Sequence, residues 1–359
     1  MPRHERQLAA DILVGLLRTS GVELRCKCAE GLVRVHDAPK ALLRYLARDE
    51  IGVAAGLIEN GVGFDESDLI ATIRAGVAAH WLAITRRRVL SEAVTDALLQ
   101  AGDANVIEAA LRNQGARFSV QGIDMAVAKS RRAPGLAPAL VLRNELRATQ
   151  ALVLFWWAPF ETRMQILRRF AVDRHALIQE LGEVFALAAM EGWSDPEARK
   201  AIQVVERRQR NRAAAQRSPF GSLEGAISAS RSGVTQSLMS EMAHLSGIKP
   251  ATALQILSDP GGEAVGVLCK SVGLKRPYLL ELWRALRRSE GNPDKPDNPL
   301  GRALFTYDTL ATAKAQTVLR YWNWSFTADA LGAEDGRLDE EDTFSPARRN
   351  ALLLFNRQG

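Results

Sequence analysis

Arginines gathered in short runs are the side chains of this sequence best suited to binding phosphate. Runs occur at Arg86–Arg88 and Arg168–Arg169, and five arginines lie between Arg207 and Arg217. A guanidinium group binds phosphate through its charge and through paired hydrogen bonds. Such runs are also typical of solvated helix faces, so both interpretations stay open. The candidate phosphate or nucleic-acid contacts are Arg86, Arg87, Arg88, Arg168, Arg169, Arg207, Arg208, Arg210 and Arg212.

Aromatic side chains are concentrated in the stretch LVLFWWAPFETRMQILRRF, residues 152–170. Adjacent tryptophans point about 100° apart on a helix, so one can enter a core while the other faces a neighbouring helix or solvent. We predict that these rings mainly hold the core together. A partner-binding surface is the alternative, because aromatic residues and arginine are enriched where proteins bind one another. The candidate partner-binding residues are Phe155, Trp156, Trp157 and Arg163.

The segment EMAHLSGIKPATALQIL, residues 241–257, resembles a helix-turn-helix motif. Its second helix offers only Thr252 and Gln255 to a base edge, which is little for sequence readout. The segment CKSVGLKRPYLLELW repeats the pattern 26 residues later and carries Tyr278 and Trp283 in its second helix. We therefore interpret both segments as structural helical hairpins. DNA binding by these hairpins stays an alternative.

Residue types that could support catalysis or metal binding are present but do not form recognised patterns. Cys26, Cys28 and His36 form a C-x-C-x7-H pattern, which lacks the paired spacing of a zinc site and has no fourth ligand nearby. The histidines are scattered, and the position of His80 beside Trp81 favours an internal hydrogen bond over a catalytic role. The sequence contains no glycine-rich phosphate loop. We expect no enzymatic activity, metal, cofactor or small-molecule substrate.

The composition is that of a globular protein, with 359 residues, of which 47% are hydrophobic and 25% charged. No apolar run approaches the roughly 20 residues that cross a bilayer, so no membrane association is expected. The net charge of +6 is modest for this length and reflects solubility as readily as nucleic-acid binding. The cysteines are three, an odd number that argues against a disulfide framework. We expect a cytoplasmic protein.

Apolar residues recur at three- and four-residue spacing without sustained alternation, which predicts an all-α fold. The sequence also repeats itself: Val53 matches Val106 at a spacing of 53, and Phe64 matches Phe118 at a spacing of 54. The predicted N-caps of the equivalent helices are Asp65, Ser119 and Asp173. Repeated helical units predict a stacked array. The aromatic stretch falls in its third copy.

The run HWLAITRRRVLSEAVTDALLQAGDANVIEAALRNQGARFS, residues 80–119, followed by FWW at 155–157 and RRF at 168–170, resembles a bacterial family common in alphaproteobacteria. This family is called domain of unknown function 2336 (DUF2336), and the resemblance covers roughly Ala41 to Arg288. It implies a helical protein related in layout to HEAT repeats. Because the family carries no established activity, it assigns no role to any residue here. The chain departs from the family at APFETRMQIL, where a polar turn containing serine is expected and Pro159 predicts a broken helix.

Together these patterns predict an all-α fold, a HEAT-like α-solenoid of helical hairpins with a smaller helical C-terminal region. Residues 1–205 are the predicted repeat domain, 206–233 an arginine-rich helix end and Gly/Ser linker, and 234–288 the duplicated hairpins. Residues 289–359 are predicted as a linker, an aromatic-rich helix from about Ala303 to Leu331 and an acidic tail.

The predicted function is that of a non-enzymatic regulatory or scaffolding protein that binds a protein partner, whose identity stays open. The alternative is a nucleic-acid-binding HEAT-like protein that uses an arginine-rich surface. One continuous basic trough would favour nucleic acid, whereas dispersed arginines would favour a protein partner.

Overall fold

The computed structural model describes residues 3–101, 103–177, 179–180, 212–292, 295 and 298–334. Across these residues the regular secondary structure is helical, and the single β-bridge joins Leu90 to Ala116. The all-α prediction is confirmed. The chain divides into two compact units, which we call unit 1 (Met1–Glu145) and unit 2 (Leu146–Gly359).

The helices of unit 1 pack in two successions. Helices α2, α4, α6 and α8 each pack against the next member of that series, and α5, α7 and α9 do the same, while α1 packs against α3. The bounds are α1 Arg3–Arg18, α2 Val22–Leu32, α3 Lys40–Leu46, α4 Ile51–Asn60, α5 Glu66–Ala75, α6 Ala78–Thr85, α7 Glu92–Ala101, α8 Ala104–Arg112, α9 Val120–Ser130 and, after a 3-10 turn at Pro134–Leu136, α10 Ala137–Val141.

The repeat seen in the sequence corresponds to equivalent helices. Val53 of α4 and Val106 of α8 are both buried. At the helix starts, the side chain of Asp65 accepts a hydrogen bond from the Asp68 amide, and that of Ser119 accepts one from the Gly122 amide. The carboxylate of Asp173 accepts from the Ala176 amide at 3.0 Å. Each predicted N-cap therefore supplies a side-chain oxygen to a backbone N–H three residues on.

Unit 2 is organised around one buried helix, α17. This helix packs against α19 and α20, and all of its residues except Lys270 are buried. The bounds in this unit are α11 Ala148–Leu154, α12 Phe160–Phe170, α13 Arg212–Arg217, α14 Leu223–Ala229, α15 Gln236–Ser246, α16 Pro250–Ser258, α17 Glu263–Ser271, α18 Arg276–Ala285, α19 Pro299–Thr309 and α20 Thr312–Glu334.

The 26-residue repeat in unit 2 corresponds to the hairpins α15–α16 and α17–α18. Gly247 and Gly273 follow the first helix of each hairpin and both have φ of 71°, the left-handed conformation that glycine adopts without strain. Thr252, one of the two residues that could read a base, is fully buried and donates to Asn323 Oδ1 at 3.1 Å. Trp283 of the second copy is buried as well. These contacts support the interpretation of structural hairpins.

The structure tests three predictions about where helices break: at Pro159, in the Gly/Ser stretch and in the aromatic-rich helix. Pro159 does separate two helices, since α11 ends at Leu154 and α12 begins immediately after the proline. The Gly/Ser stretch predicted as a linker instead contains α14, which buries Leu223 and Ile227 in a core. The segment predicted as one aromatic-rich helix forms two helices, α19 and α20. The break lies at Leu310, where the backbone is extended, with φ of −81° and ψ of 127°.

Candidate functional site

The loops that follow α2, α4, α6, α8 and α10 of unit 1 are linked one to the next by hydrogen bonds. We call them together the loop edge (residues 33–39, 61–65, 86–91, 113–119 and 142–145). The first two loops are joined by the Val62 amide, which donates to the Val33 carbonyl at 3.0 Å. The third and fourth are joined at Leu90, whose amide donates to Gly115 at 3.2 Å and whose carbonyl accepts from Arg117 at 3.0 Å. Backbone hydrogen bonds therefore fix neighbouring loops against each other.

Two arginines of the loop edge point inward and complete these connections. The Arg87 guanidinium donates to the carbonyls of Ile58 and Gly61, the latter at 2.9 Å, and lies 5.9 Å from the centre of the Phe64 ring. Burial lowers the pKa of Arg87. Because this guanidinium is committed to backbone carbonyls, the prediction of Arg87 as a phosphate contact is corrected.

Arg143 repeats this arrangement in the next equivalent loop. Its guanidinium donates to the carbonyls of Asn113 at 2.9 Å and Ala116 at 2.5 Å, and it lies 4.8 Å from the centre of the Phe118 ring. Phe64 and Phe118 are the pair that the sequence repeat matches. An arginine over this phenylalanine, bonded to the end of the preceding hairpin, is therefore a repeated structural device of unit 1.

The loops also approach one another closely at two glycines. A Cβ on Gly115 would lie 1.8 Å from the Arg88 carbonyl oxygen, and one on Gly63 would lie 2.9 Å from the Val35 carbonyl oxygen. The Asn113 side-chain amide donates to the backbone carbonyl of Arg87 at 2.7 Å across the same gap. Absence of a side chain at these glycines is what lets the loops adjoin.

The outer surface of the loop edge exposes apolar and basic side chains, together with the carboxylates of Asp37 and Asp65. Its apolar residues recur at intervals of 27 residues, as Val35, Val62 and Val89, which are 40%, 44% and 63% exposed. Leu142 in the last loop is 66% exposed. The exposed arginines of the same loops are Arg34, Arg86, Arg88 and Arg117. Arg86 lies 4.0 Å from Glu59.

The aromatic residues predicted at a partner surface lie in unit 2 and largely form core. Phe155 is fully buried and its ring centre lies 4.9 Å from that of Trp322. Trp156 packs against the same ring at 4.7 Å, and the Trp322 indole N–H donates to the Leu152 carbonyl at 3.0 Å. Trp156 and Trp157 are half-buried. These contacts support the interpretation that the rings form core. The prediction of Phe155 as a partner contact is corrected, because its ring has no exposed surface.

Arg163, the fourth predicted partner contact, is buried in an ion-pair network. Its guanidinium lies 2.6 Å from Asp259 and 3.7 Å from Glu263, and the fully buried Glu263 lies 3.0 Å from the guanidinium of Arg302. Burial raises the pKa of Glu263, while the charges of Arg163 and Arg302 oppose that rise. The network joins α12, α17 and α19, so Arg163 is a structural residue and its prediction as a partner contact is corrected.

The remaining predicted arginines are separated along the chain. Arg168 and Arg169 are exposed on α12 and stack on Phe305 and Phe170 at 5.2 Å and 5.1 Å. Arg207, Arg208 and Arg210 lie outside the described residues, and Arg212 begins α13. In unit 1, His80 contacts the Asp49 carbonyl through Nε2 at 2.8 Å, the internal hydrogen bond that the sequence favours.

The exposed valines of the loop edge are functional candidates that the sequence interpretation missed. Their signal is the 27-residue recurrence of Val35, Val62 and Val89, which is half the period of the detected repeat. A single valine in a short loop carries no local sequence signal that separates it from any other loop residue. Such valines become notable only when the fold shows that their loops adjoin.

Comparison with known proteins identifies a family. A family model described as an uncharacterised protein conserved in bacteria (DUF2336) matches residues 53–320. The chain belongs to the DUF2336 family. No curated protein and no solved structure matches it significantly.

The DUF2336 match starts within α4 and ends within α20, so it includes four of the five loops of the loop edge. Helices α1–α3 precede it. In the part of this DUF2336 protein that the structure describes, no helix combines the length and the apolar character needed to span a membrane.

Proposed function

We propose that this protein is a non-enzymatic scaffold whose loop edge binds a segment of a protein partner. Unit 1 is, in this proposal, a HEAT-like α-solenoid. Its support is the packing of alternate helices, in which α2, α4, α6 and α8 form one row and α5, α7 and α9 another. Solenoids of helical hairpins present extended surfaces of this kind to their partners. A cytoplasmic location remains part of the proposal.

The observation that carries the proposal is the interleaving of exposed valines and arginines on the loop edge. Phosphate groups of nucleic acid attract basic side chains but make no favourable contact with exposed valines. A protein segment that alternates acidic and apolar residues complements both, because each valine loses water on contact and each arginine gains a carboxylate. The presence of exposed valines such as Val62 beside the exposed arginines of the loop edge therefore favours a protein partner over nucleic acid.

The spacing of the loops indicates the pattern of such a segment. Packed helices lie about 8–10 Å apart, and a polyproline II chain rises about 3.1 Å per residue with three residues per turn. A partner segment in this conformation would therefore present every third side chain on one side, opposite successive loops. Acidic residues between these positions would face the exposed arginines.

The test is fluorescence anisotropy with a labelled synthetic peptide that carries leucine at every third position and glutamate between. A peptide of the same composition in scrambled order is the peptide control. We expect the patterned peptide to bind the wild type, and Val62→Glu with Val89→Glu to weaken binding at least tenfold, because the new carboxylates repel the peptide. Val77→Glu is the matched protein control, since Val77 is 62% exposed but precedes α6, at the end of that helix opposite the loop edge.

The same assay distinguishes nucleic-acid binding from binding of a protein segment. Labelled duplex and single-stranded DNA are titrated between about 50 and 200 mM salt, where phosphate-driven binding weakens steeply. DNA binding that Arg88→Ala and Arg117→Ala weaken, with no preference for the patterned peptide over the scrambled one, would overturn the protein-partner proposal in favour of nucleic acid.

A further inference from the structure

Helix α1 of unit 1 exposes an apolar stripe on its outer side. Leu8, Ile12 and Leu16 follow one another at intervals of four residues and are 57%, 57% and 59% exposed. The opposite side of the helix carries Ala10 and Leu17, which are buried. Three large apolar side chains in one row on an exposed helix are a pattern typical of helix pairing, because they lose contact with water only when another apolar surface covers them.

Opposite charges flank this stripe at a heptad spacing. Asp11 and Arg18 are both exposed, and their separation of seven residues places them on the same side of the helix. They line an open groove of about 670 Å³ between α1 and α3, which leaves room for further side chains. Gly15 lies between them on the outer side, and no heavy atom lies within 4 Å of the position that a Cβ would take there. A second helix can therefore approach α1 closely at its middle.

We propose that α1 pairs with α1 of a second copy of this chain in antiparallel orientation. In an antiparallel helix pair, the same flank of both helices meets across the interface. With the two-fold axis between Val14 and Gly15, Asp11 faces Arg18 of the second copy and Arg18 faces its Asp11. The same register places Leu13, which is 43% exposed, opposite Leu16 of the second copy. Ile12 lies one residue from that level, about 1.5 Å along the helix axis. One register thus satisfies both the charges and the apolar stripe, as a two-fold interface requires.

The size of the surface sets the strength of the pairing. A helix of 16 residues is about 24 Å long, and a stable interface buries about 800 Å² on each partner, more than one helix face supplies. The dimer is therefore reversible and depends on protein concentration. Loop-edge residues take no part in it, so it is independent of the function proposed above.

Sedimentation velocity of the full chain from micromolar to several hundred micromolar concentration tests the proposal. The weight-average mass of the wild type should rise from 39.3 kDa toward twice that value. Ile12→Glu with Leu16→Glu should stay at 39.3 kDa throughout, because two charged side chains then replace most of the exposed apolar stripe. Val77→Glu is the matched control, because Val77 is a similarly exposed apolar residue of unit 1 outside both α1 and the loop edge, and this variant should dimerise like the wild type. Circular dichroism confirms that each variant is folded.

Charge exchange tests the register. Asp11→Arg and Arg18→Asp should each weaken association, since each places like charges opposite one another twice. The double variant should restore it, because every pair is again opposite in sign. A wild type that stays monomeric at every concentration overturns the pairing, and a double variant as weak as the single ones overturns the antiparallel register. Neither outcome bears on peptide binding, which the loop-edge valine variants report separately.

Discussion

At the scale of single residues, neighbouring arginines of the same run have opposite roles. Arg87 is directed onto the carbonyls of the preceding hairpin, whereas Arg86 and Arg88 remain exposed. Composition cannot distinguish them, because the difference depends on the direction in which each side chain leaves a three-residue turn. The function of a basic run is therefore decided by its loop geometry and not by its charge.

Gly115 provides a test of how tightly the loop edge is assembled. Gly115→Ala should lower the free energy of unfolding by about 1–3 kcal/mol, because the new Cβ would lie 1.8 Å from the Arg88 carbonyl oxygen and the loops must separate. Urea denaturation followed by circular dichroism measures the change.

The matched control for this variant is Gly56→Ala on the exposed side of α4, where a Cβ meets no atom within 4 Å. This change should raise the free energy of unfolding by about 0.5–1 kcal/mol, since alanine loses less backbone entropy than glycine in a helix. Equal effects of the two substitutions would show that the loops of the edge are not in close contact.

At the scale of the elements, α17 is held to α12 and α19 by charges that have little access to water. Asp259 and Glu263 lie between Arg163 and Arg302, and each of these four side chains is at most 11% exposed. A Cβ on Gly261 would lie 2.2 Å from the Glu263 carboxylate, so a side chain at this position would displace that carboxylate from its present place. Buried ion pairs of this kind fix the arrangement of helices more than they add to stability.

The raised pKa of Glu263 gives a dependence of stability on pH. Above the ordinary glutamate value of 4.5, the folded protein still holds the Glu263 proton while the unfolded chain has released it. The contribution of this group to stability is therefore complete below pH 4.5 and is lost as pH rises through the folded pKa. Glu263→Gln removes this loss, so the stability of the variant relative to the wild type should increase with pH.

Urea denaturation at a series of pH values from about 4 to 8 measures this difference. Glu30→Gln at an exposed position of α2 is the control for removing a carboxylate elsewhere. A Glu263→Gln curve parallel to that of the wild type would contradict a raised pKa for the buried carboxyl group.

Sequence patterns predicted the elements where the signal is local. The N-cap at Asp65, the break at Pro159 and the glycine after α15 each act within a few residues, through a side-chain oxygen, a fixed φ or a left-handed backbone. The break at Leu310 was missed because no proline or glycine stands there. The charge network at Glu263 was missed because its arginines come from residues 100 and 39 positions away in the sequence.

At the scale of the whole molecule, composition and compactness divide the chain differently. The basic and Gly/Ser-rich segments predict a boundary near residue 205, whereas the compact units meet at Glu145 and Leu146. The aromatic stretch explains the difference, because Leu152 accepts a hydrogen bond from Trp322 and Arg163 pairs with Asp259. These contacts place the stretch in the core of unit 2, although its sequence continues the repeat register of unit 1. The spacing of a sequence repeat therefore does not determine in which of the two units this segment is packed.

The position of the boundary can be tested with fragments. Residues 1–145 contain the core of unit 1 and every hydrogen bond described for the loop edge, including those of Arg143. This fragment should show helical circular dichroism and a single cooperative transition in urea, because its helices bury one another without unit 2. A fragment of residues 1–112 lacks the loop that bonds to Leu90 and Arg87 and also lacks α9, the neighbour of α7, so cooperativity should be lost. If residues 1–145 instead unfold gradually while 1–205 unfold cooperatively, the aromatic stretch belongs to the repeat array after all, and the boundary predicted from composition is the thermodynamic one.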